Sequence, residues 1–115
     1  MDPISKADLT SALDLLWKRF LPQILDRISL LETAAKDCIR GSPRGYMLRT
    51  ARDAAHKLAG SLGTFNLTRG TVLARELELF YSNDPDLSTE SVAHLVKITI
   101  QLREIVENRP PSGSS

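Results

Sequence analysis

The chain has 115 residues, of which 42% are hydrophobic and 25% are charged, and its formal net charge is +1. This composition predicts one folded domain and excludes a disordered chain, while the length is too short for an added nucleotide-binding catalytic domain. The sequence has neither an apolar run of membrane-spanning length nor the basic and apolar regions of a signal peptide. We therefore expect a cytoplasmic protein without a membrane partner.

The first third of the chain predicts two amphipathic helices. A first helix is expected from Lys6 to Phe20, and Pro22 should break or kink the chain near Leu21, because proline disfavours helical geometry in the residue before it. A second helix is expected from Pro22 to Cys38, with Gly41 as its C-terminal cap. The positions of the first helix predicted to face the core are Leu9, Leu13, Leu16 and Phe20.

Three further helices are expected downstream. The third should run from Pro43 to Phe65 with Ser42 as its N-cap, and Asn66 is placed to close it in the left-handed conformation. A fourth helix should begin near Thr68, and Ser88 should cap a fifth. The inward positions of these last two helices are predicted to be Val72, Leu73, Leu77, Phe80, Val92, Leu95, Ile98 or Thr99, Leu102 and Val106.

No segment alternates apolar and polar residues at a period of two, so the fold class is all-α. Short connections make neighbouring helices antiparallel, which predicts an up-down-up-down four-helix bundle with an additional N-terminal helix packed across one end. The bundle should occupy residues 1–109, and residues 110–115 should form a flexible tail with nothing to pack. The sole cysteine, Cys38, lies in an apolar phase and is expected to be buried.

Two faces of the third helix differ sharply in composition. The core face is a stripe at helical spacing, made of Leu48, Ala51, Ala55, Leu58 and Leu62. The other face is basic and bare, and carries Arg49, Arg52, His56, Gly60 and Gly63. Glycine inside a helix costs about 1 kcal/mol relative to alanine, so Gly60 suggests that an absent side chain is useful one turn after His56. Its absence would uncover the imidazole for an anionic group.

At these residues the sequence resembles a known family, the histidine-containing phosphotransfer (HPt) domain of two-component phosphorelays. The resemblance is carried by His56-Lys57-Leu58-Ala59-Gly60-Ser61, followed by Leu73, Leu77 and Glu78. Two positions depart from the family pattern. Ala59 stands where a lysine is usual three residues after the histidine, and Asn66 stands where a glycine is usual.

The resemblance implies that His56 is the phosphoacceptor. Arg52, Lys57 and Gly60 are expected to support the phosphoryl group, with Arg52 as the best substitute for the missing lysine. Glu78 either hydrogen-bonds the imidazole and fixes its tautomer or simply solvates the bundle surface. The expected docking positions for a partner are Arg49, Ala59 and Gly63.

The expected partners are response-regulator receiver domains, which would supply a phosphorylated aspartate and a Mg²⁺ ion, while this monomeric domain binds no cofactor itself. Residues 36–75 hold eight Lys or Arg against two Asp, which suits an acidic or phosphorylated partner. His56, His94 and Cys38 lack the spacing of a metal site. Two alternatives remain: a degenerate HPt-like bundle that docks on receivers without being phosphorylated, and, less favoured, a basic module that binds nucleic acid.

Overall fold

The computed structural model describes residues 5–112, which form four α-helices and no β-strand. These are α1 (Lys6–Ile39), α2 (Gly45–Thr64), α3 (Thr68–Ser82) and α4 (Thr89–Glu107). Each helix packs against its neighbours in sequence, and α4 packs back against α1. The predicted all-α, antiparallel four-helix bundle is therefore confirmed. None of the helices in residues 5–112 has an apolar stretch that could span a bilayer.

The predicted separate N-terminal helix is wrong, because α1 continues through Pro22 without a break. A proline inside a helix removes one hydrogen bond, here the one to the carbonyl of Lys18, four residues earlier. Both residues are exposed, so water can satisfy that carbonyl. Trp17 and Ile24 are buried on either side of the proline, and this continuous apolar face stabilises the unbroken helix.

The N-terminal part of α1 is less buried than the sequence predicts. Leu9, Leu16 and Phe20 are exposed, and Leu13 is half-buried. For Leu9 the cause is length, because the 34 residues of α1 span about 51 Å, whereas the 20 residues of α2 span about 30 Å. The shorter helices cannot cover the whole of α1, and its first turns extend past them. Leu16 and Phe20 lie level with the buried Trp17, so their exposure reflects the direction in which they point.

The turns confirm some predicted caps and correct one. Gly41 has φ +80°, as expected after a helix C-terminus, and Asn66 has φ 59°, in the left-handed region. Ser88 accepts a hydrogen bond from the backbone N–H of Ser91 and caps α4. Ser42 is not a cap, because α2 begins at Gly45 after Arg44 and has no side-chain cap.

The core runs along the bundle axis and agrees with most of the predicted apolar stripes. Its largest fully buried side chains are Ile24, Ile28, Leu31, Leu58, Leu62, Leu77, Leu95, Leu102, Val106 and Cys38. Burial raises the pKa of the Cys38 thiol, as expected for a core residue. Val72 is an error of prediction, since it is 56% exposed and Leu73 and Ala74 fill the core at that turn.

The C-terminal segment packs against α1 instead of leaving the bundle at residue 110. The guanidinium of Arg109 lies 4.9 Å from the ring centroid of Trp17, and its Nη1 is 3.2 Å from Oδ1 of Asp14. The backbone N–H of Ser112 donates to the same carboxylate at 2.9 Å. Residues 110–112 therefore differ from the predicted free tail, and residues 113–115 lie outside the described residues.

Candidate functional site

His56 stands on the outer face of α2, near the middle of the helix. Its neighbours Ala55 and Leu58 point into the core, and the helical rotation of about 100° per residue turns His56 away from it. The imidazole is 68% exposed. A reactant in solution can therefore reach the ring.

Glu78 of α3 contacts the imidazole directly. Its Oε2 lies 2.8 Å from Nδ1 of His56, and the carboxylate itself is only 24% exposed. Because an ionised carboxylate can only accept, this contact assigns the proton to Nδ1. The lone pair is then on Nε2, for which no side chain of residues 5–112 is a hydrogen-bond partner. Of the two alternatives for Glu78, the structure has the hydrogen-bonded one.

The surface beside His56 is open at Gly60, whereas Gly63 lies against α3. A Cβ placed on Gly60 would meet no atom within 4 Å, and one on Gly63 would lie 3.7 Å from Oγ1 of Thr71. Helical side chains lean toward the N-terminus of their helix, so any side chain at position 60 would lean over His56. Gly60 therefore leaves room above the imidazole.

Arg49 and Arg52 lie on the predicted face but are directed elsewhere. Both line a depression of about 410 Å³ between the first half of α2 and the end of α3, together with Ser82 and Asn83. Nε of Arg52 is 3.6 Å from Oδ1 of Asp53. Because helical side chains lean toward the N-terminus, a residue four positions before His56 leans away from it. A role of Arg52 at the phosphoryl group stays a prediction.

Ala59 and Lys57, two further predicted site residues, do not share the exposed face of His56. Ala59 is only 2% exposed, so the expected docking role for its side chain is wrong. It lies at the α2–α3 interface, where its carbonyl accepts a hydrogen bond from the Thr71 hydroxyl at 3.4 Å. Lys57 is exposed, about 100° around the helix from His56.

The α3 side of the site was incompletely predicted from sequence. Thr71, which contacts Ala59, precedes Glu78 by seven residues, and this spacing places both side chains on one face of α3. The signal is a polar stripe at positions 71, 75, 78 and 82, beside the apolar stripe of the same helix. It can be interpreted only once α3 is known to lie alongside α2.

No second histidine and no cluster of metal-binding side chains accompanies His56 within residues 5–112. His94 lies on α4, with its Nε2 3.7 Å from Oε2 of Glu76, and it is exposed. Within residues 5–112 no group of three His, Cys, Asp or Glu is close enough to hold a metal ion. The site of the described residues is thus a single exposed histidine with one carboxylate partner.

Comparisons with known proteins agree with this geometry. The family model described as "Hpt domain" matches residues 15–108, which is most of the chain. The chain is also 28% identical over 92 residues to Protein RcaC of Microchaete diplosiphon; the match covers 80% of this chain and 14% of that protein. No solved structure matches the chain significantly. The chain therefore belongs to the Hpt domain family, whose members take part in phosphotransfer within two-component phosphorelays.

Proposed function

We propose that the protein accepts a phosphoryl group on Nε2 of His56 from the phosphorylated aspartate of one receiver domain and passes it to the aspartate of another. Hpt domains interact with receiver domains in phosphorelays. The observation that carries the proposal is the exposed imidazole whose Nδ1 is held by Glu78 at 2.8 Å. An imidazole held in this way presents a lone pair to solvent.

In the proposed step, Nε2 of His56 attacks the phosphorus of the aspartyl phosphate. The Nε2–P bond forms while the acyl O–P bond breaks, and the aspartate oxygen leaves with the electron pair as a carboxylate. The imidazole becomes positively charged, and the Nδ1–H bond to Glu78 stabilises that charge. Transfer to the second receiver reverses these changes. In this scheme Mg²⁺ belongs to the receiver.

The test uses purified receiver domains that carry a radiolabelled aspartyl phosphate. We expect label to move to the wild-type protein in a bond that is acid-labile and alkali-stable, and to be absent from His56→Gln. His94→Gln is the matched control, because it removes the other exposed histidine of the described chain and should leave transfer unchanged. Label that persists in His56→Gln would refute the proposal. Receiver binding by a wild-type protein that takes no label would favour the degenerate, docking-only alternative.

A further inference from the structure

Residues 56–63 of α2 and 71–78 of α3 face each other and form the α2–α3 groove. This groove contains a cation, Arg75, that belongs neither to the sequence motif nor to the proposed transfer step. Two contacts set the register of the two helices: Glu78 reaches His56, and Thr71 reaches the carbonyl of Ala59. Arg75 lies between them on α3, four residues after Thr71 and three before Glu78, so it shares their face. It therefore stands across the groove from the turn of α2 that contains Ala59.

The surroundings of Arg75 leave its charge available. The residue is exposed, and within residues 5–112 it forms no ion pair and no side-chain hydrogen bond. The opposite turn of α2 offers no obstruction, because a Cβ on Gly60 would meet no atom of a neighbouring element within 4 Å. The Cα–Cβ bond of Arg75 leans toward the N-terminus of α3 and away from His56, but the guanidinium is far enough from Cβ to lie over Gly60 and approach the imidazole one turn away.

The other cations near His56 are less well placed. Arg52 is 3.6 Å from Asp53 and lines the depression at the end of α3. Lys57 is rotated by about 100° from His56 on α2. Ala59, where the family usually has a lysine, carries no charge and is buried. Arg75 is therefore the cation that shares the α3 face of Thr71 and Glu78 and, within residues 5–112, forms no ion pair.

We propose that Arg75 supplies, from the neighbouring helix, the positive charge that Ala59 lacks, and that its guanidinium binds the phosphoryl group on Nε2 of His56. This inference rests on the proposed function. The guanidinium presents paired N–H donors to phosphate oxygens and stabilises their charge both in the product and as the Nε2–P bond forms. The absence of a lysine at position 59 then does not abolish phosphotransfer, because Arg75 provides the positive charge from α3.

The experiment uses phosphoramidate, so no receiver partner is needed. Nε2 of His56 attacks the phosphorus, the donor's P–N bond breaks, and the nitrogen leaves with the electron pair as ammonia. We expect Arg75→Ala to lower the phosphorylation rate by about threefold to tenfold, and Arg75→Lys to restore most of it. The matched control is Arg69→Ala, which removes an exposed arginine from the same helix on the side away from Glu78.

A second readout separates binding of the phosphoryl group from a structural effect. The ³¹P resonance of the phosphohistidine should titrate at higher pH in Arg75→Ala than in wild type or Arg69→Ala, because a lost cation disfavours the dianion. Circular dichroism checks the fold, and Arg75→Gln, which keeps a long side chain, serves if the alanine variant unfolds. Equal rates and equal titrations in the Arg75 and Arg69 variants would overturn the role of Arg75 alone. A wild-type protein that phosphoramidate does not label on His56 would overturn the proposed function as well.

Discussion

In the proposed reaction, the pairing of His56 with Glu78 meets two requirements of phosphoryl acceptance in one contact. The carboxylate orients the ring by holding Nδ1–H at 2.8 Å, and it lies close enough to stabilise the positive charge that the ring would gain on phosphorylation. Its partial burial behind the imidazole limits competition from water. The contact should therefore matter more to the phosphorylated form than to the free one.

We expect Glu78→Ala to slow phosphorylation of His56 by about tenfold, which is the lower end of the loss seen when the hydrogen-bond partner of a metal-binding histidine is removed. Glu78→Gln should recover part of the rate, since the amide oxygen can still accept from Nδ1 but carries no charge. Initial rates with phosphoramidate measure both. Glu76→Ala is the control, because it removes a nearby α3 carboxylate that pairs with His94. Similar rates in the Glu78→Ala and Glu76→Ala variants would contradict the assignment.

At the scale of the helices, Gly60 lowers the stability of α2 but leaves the imidazole of His56 accessible. Its position is helical, and a methyl group there would meet nothing within 4 Å. We expect Gly60→Ala to raise the free energy of unfolding by about 0.5–1 kcal/mol, as for other glycines in helix interiors. Larger side chains at this position should slow phosphorylation, because they lean over His56. Urea denaturation and phosphoramidate kinetics on Gly60→Ala and Gly60→Gln test the two effects separately.

At Gly70, in the first turn of α3, an added methyl group should destabilise the fold, in contrast to Gly60. A Cβ there would lie 3.0 Å from Cδ1 of Leu62 and 3.4 Å from Cγ2 of Ile105, and Leu62 is fully buried. We expect Gly70→Ala to lower the free energy of unfolding by about 1 kcal/mol or more, since overpacking outweighs the better helix propensity of alanine. The comparison with Gly60→Ala is made in the same urea titration. A stabilised Gly70→Ala variant would show that Leu62 can move aside.

The helices could be predicted from sequence wherever a local signal decides the outcome. Apolar spacing located the core stripes, and Gly41, Asn66 and Ser88 marked turns by their own conformational preferences. The continuity of α1 through Pro22 could not be predicted in this way, because packing on both sides of the proline overrides its local cost. The exposure of Leu9 follows from the unequal lengths of the helices, which no local pattern contains.

In the candidate site, too, relations within one helix can be predicted from sequence, whereas contacts between helices cannot. His56 and Gly60 share one helix, so their relation follows from its period. The contacts of Glu78 and the burial of Ala59 depend on how α3 lies against α2. The position of Arg75 likewise emerges only from the register of the two helices. Sequence patterns therefore identify the candidate phosphoacceptor more readily than the residues that surround it.

Across the whole molecule, ion pairs fasten both α4 and the C-terminal segment to α1. Arg103 of α4 donates to both carboxylate oxygens of Glu32 at 2.8 Å, and these hydrogen bonds lower the pKa of Glu32. The backbone and side-chain hydrogen bonds of Ser112, with a smaller contribution from Arg109, lower the pKa of Asp14. Both carboxylates are thus more acidic in the folded state than their ordinary values of 3.8 for Asp and 4.5 for Glu.

A lowered folded-state pKa gives the sign of the pH dependence. The contribution of Asp14 and Glu32 is fully present above their unfolded values and is lost as the pH falls through their folded values, so the stability should decline below about pH 5. Urea midpoints between pH 7 and pH 3 should fall less steeply in Asp14→Asn than in wild type. Asp26→Asn, which changes an exposed α1 aspartate without an ion pair in the described residues, should keep the wild-type slope. Parallel slopes in all three proteins would contradict this prediction.

The hydrogen bonds between Ser112 and Asp14 bring residue 112 beside the third turn of α1. A short glycine-serine linker can therefore join residue 112 to residue 5. Cutting the chain in the turn at residues 41–44 then creates new N- and C-termini. Such a circularly permuted chain would keep all four helices and the α2–α3 groove, and it should still accept a phosphoryl group. Reordering the polypeptide would then leave the reaction intact, because the groove is built by α2 and α3 alone.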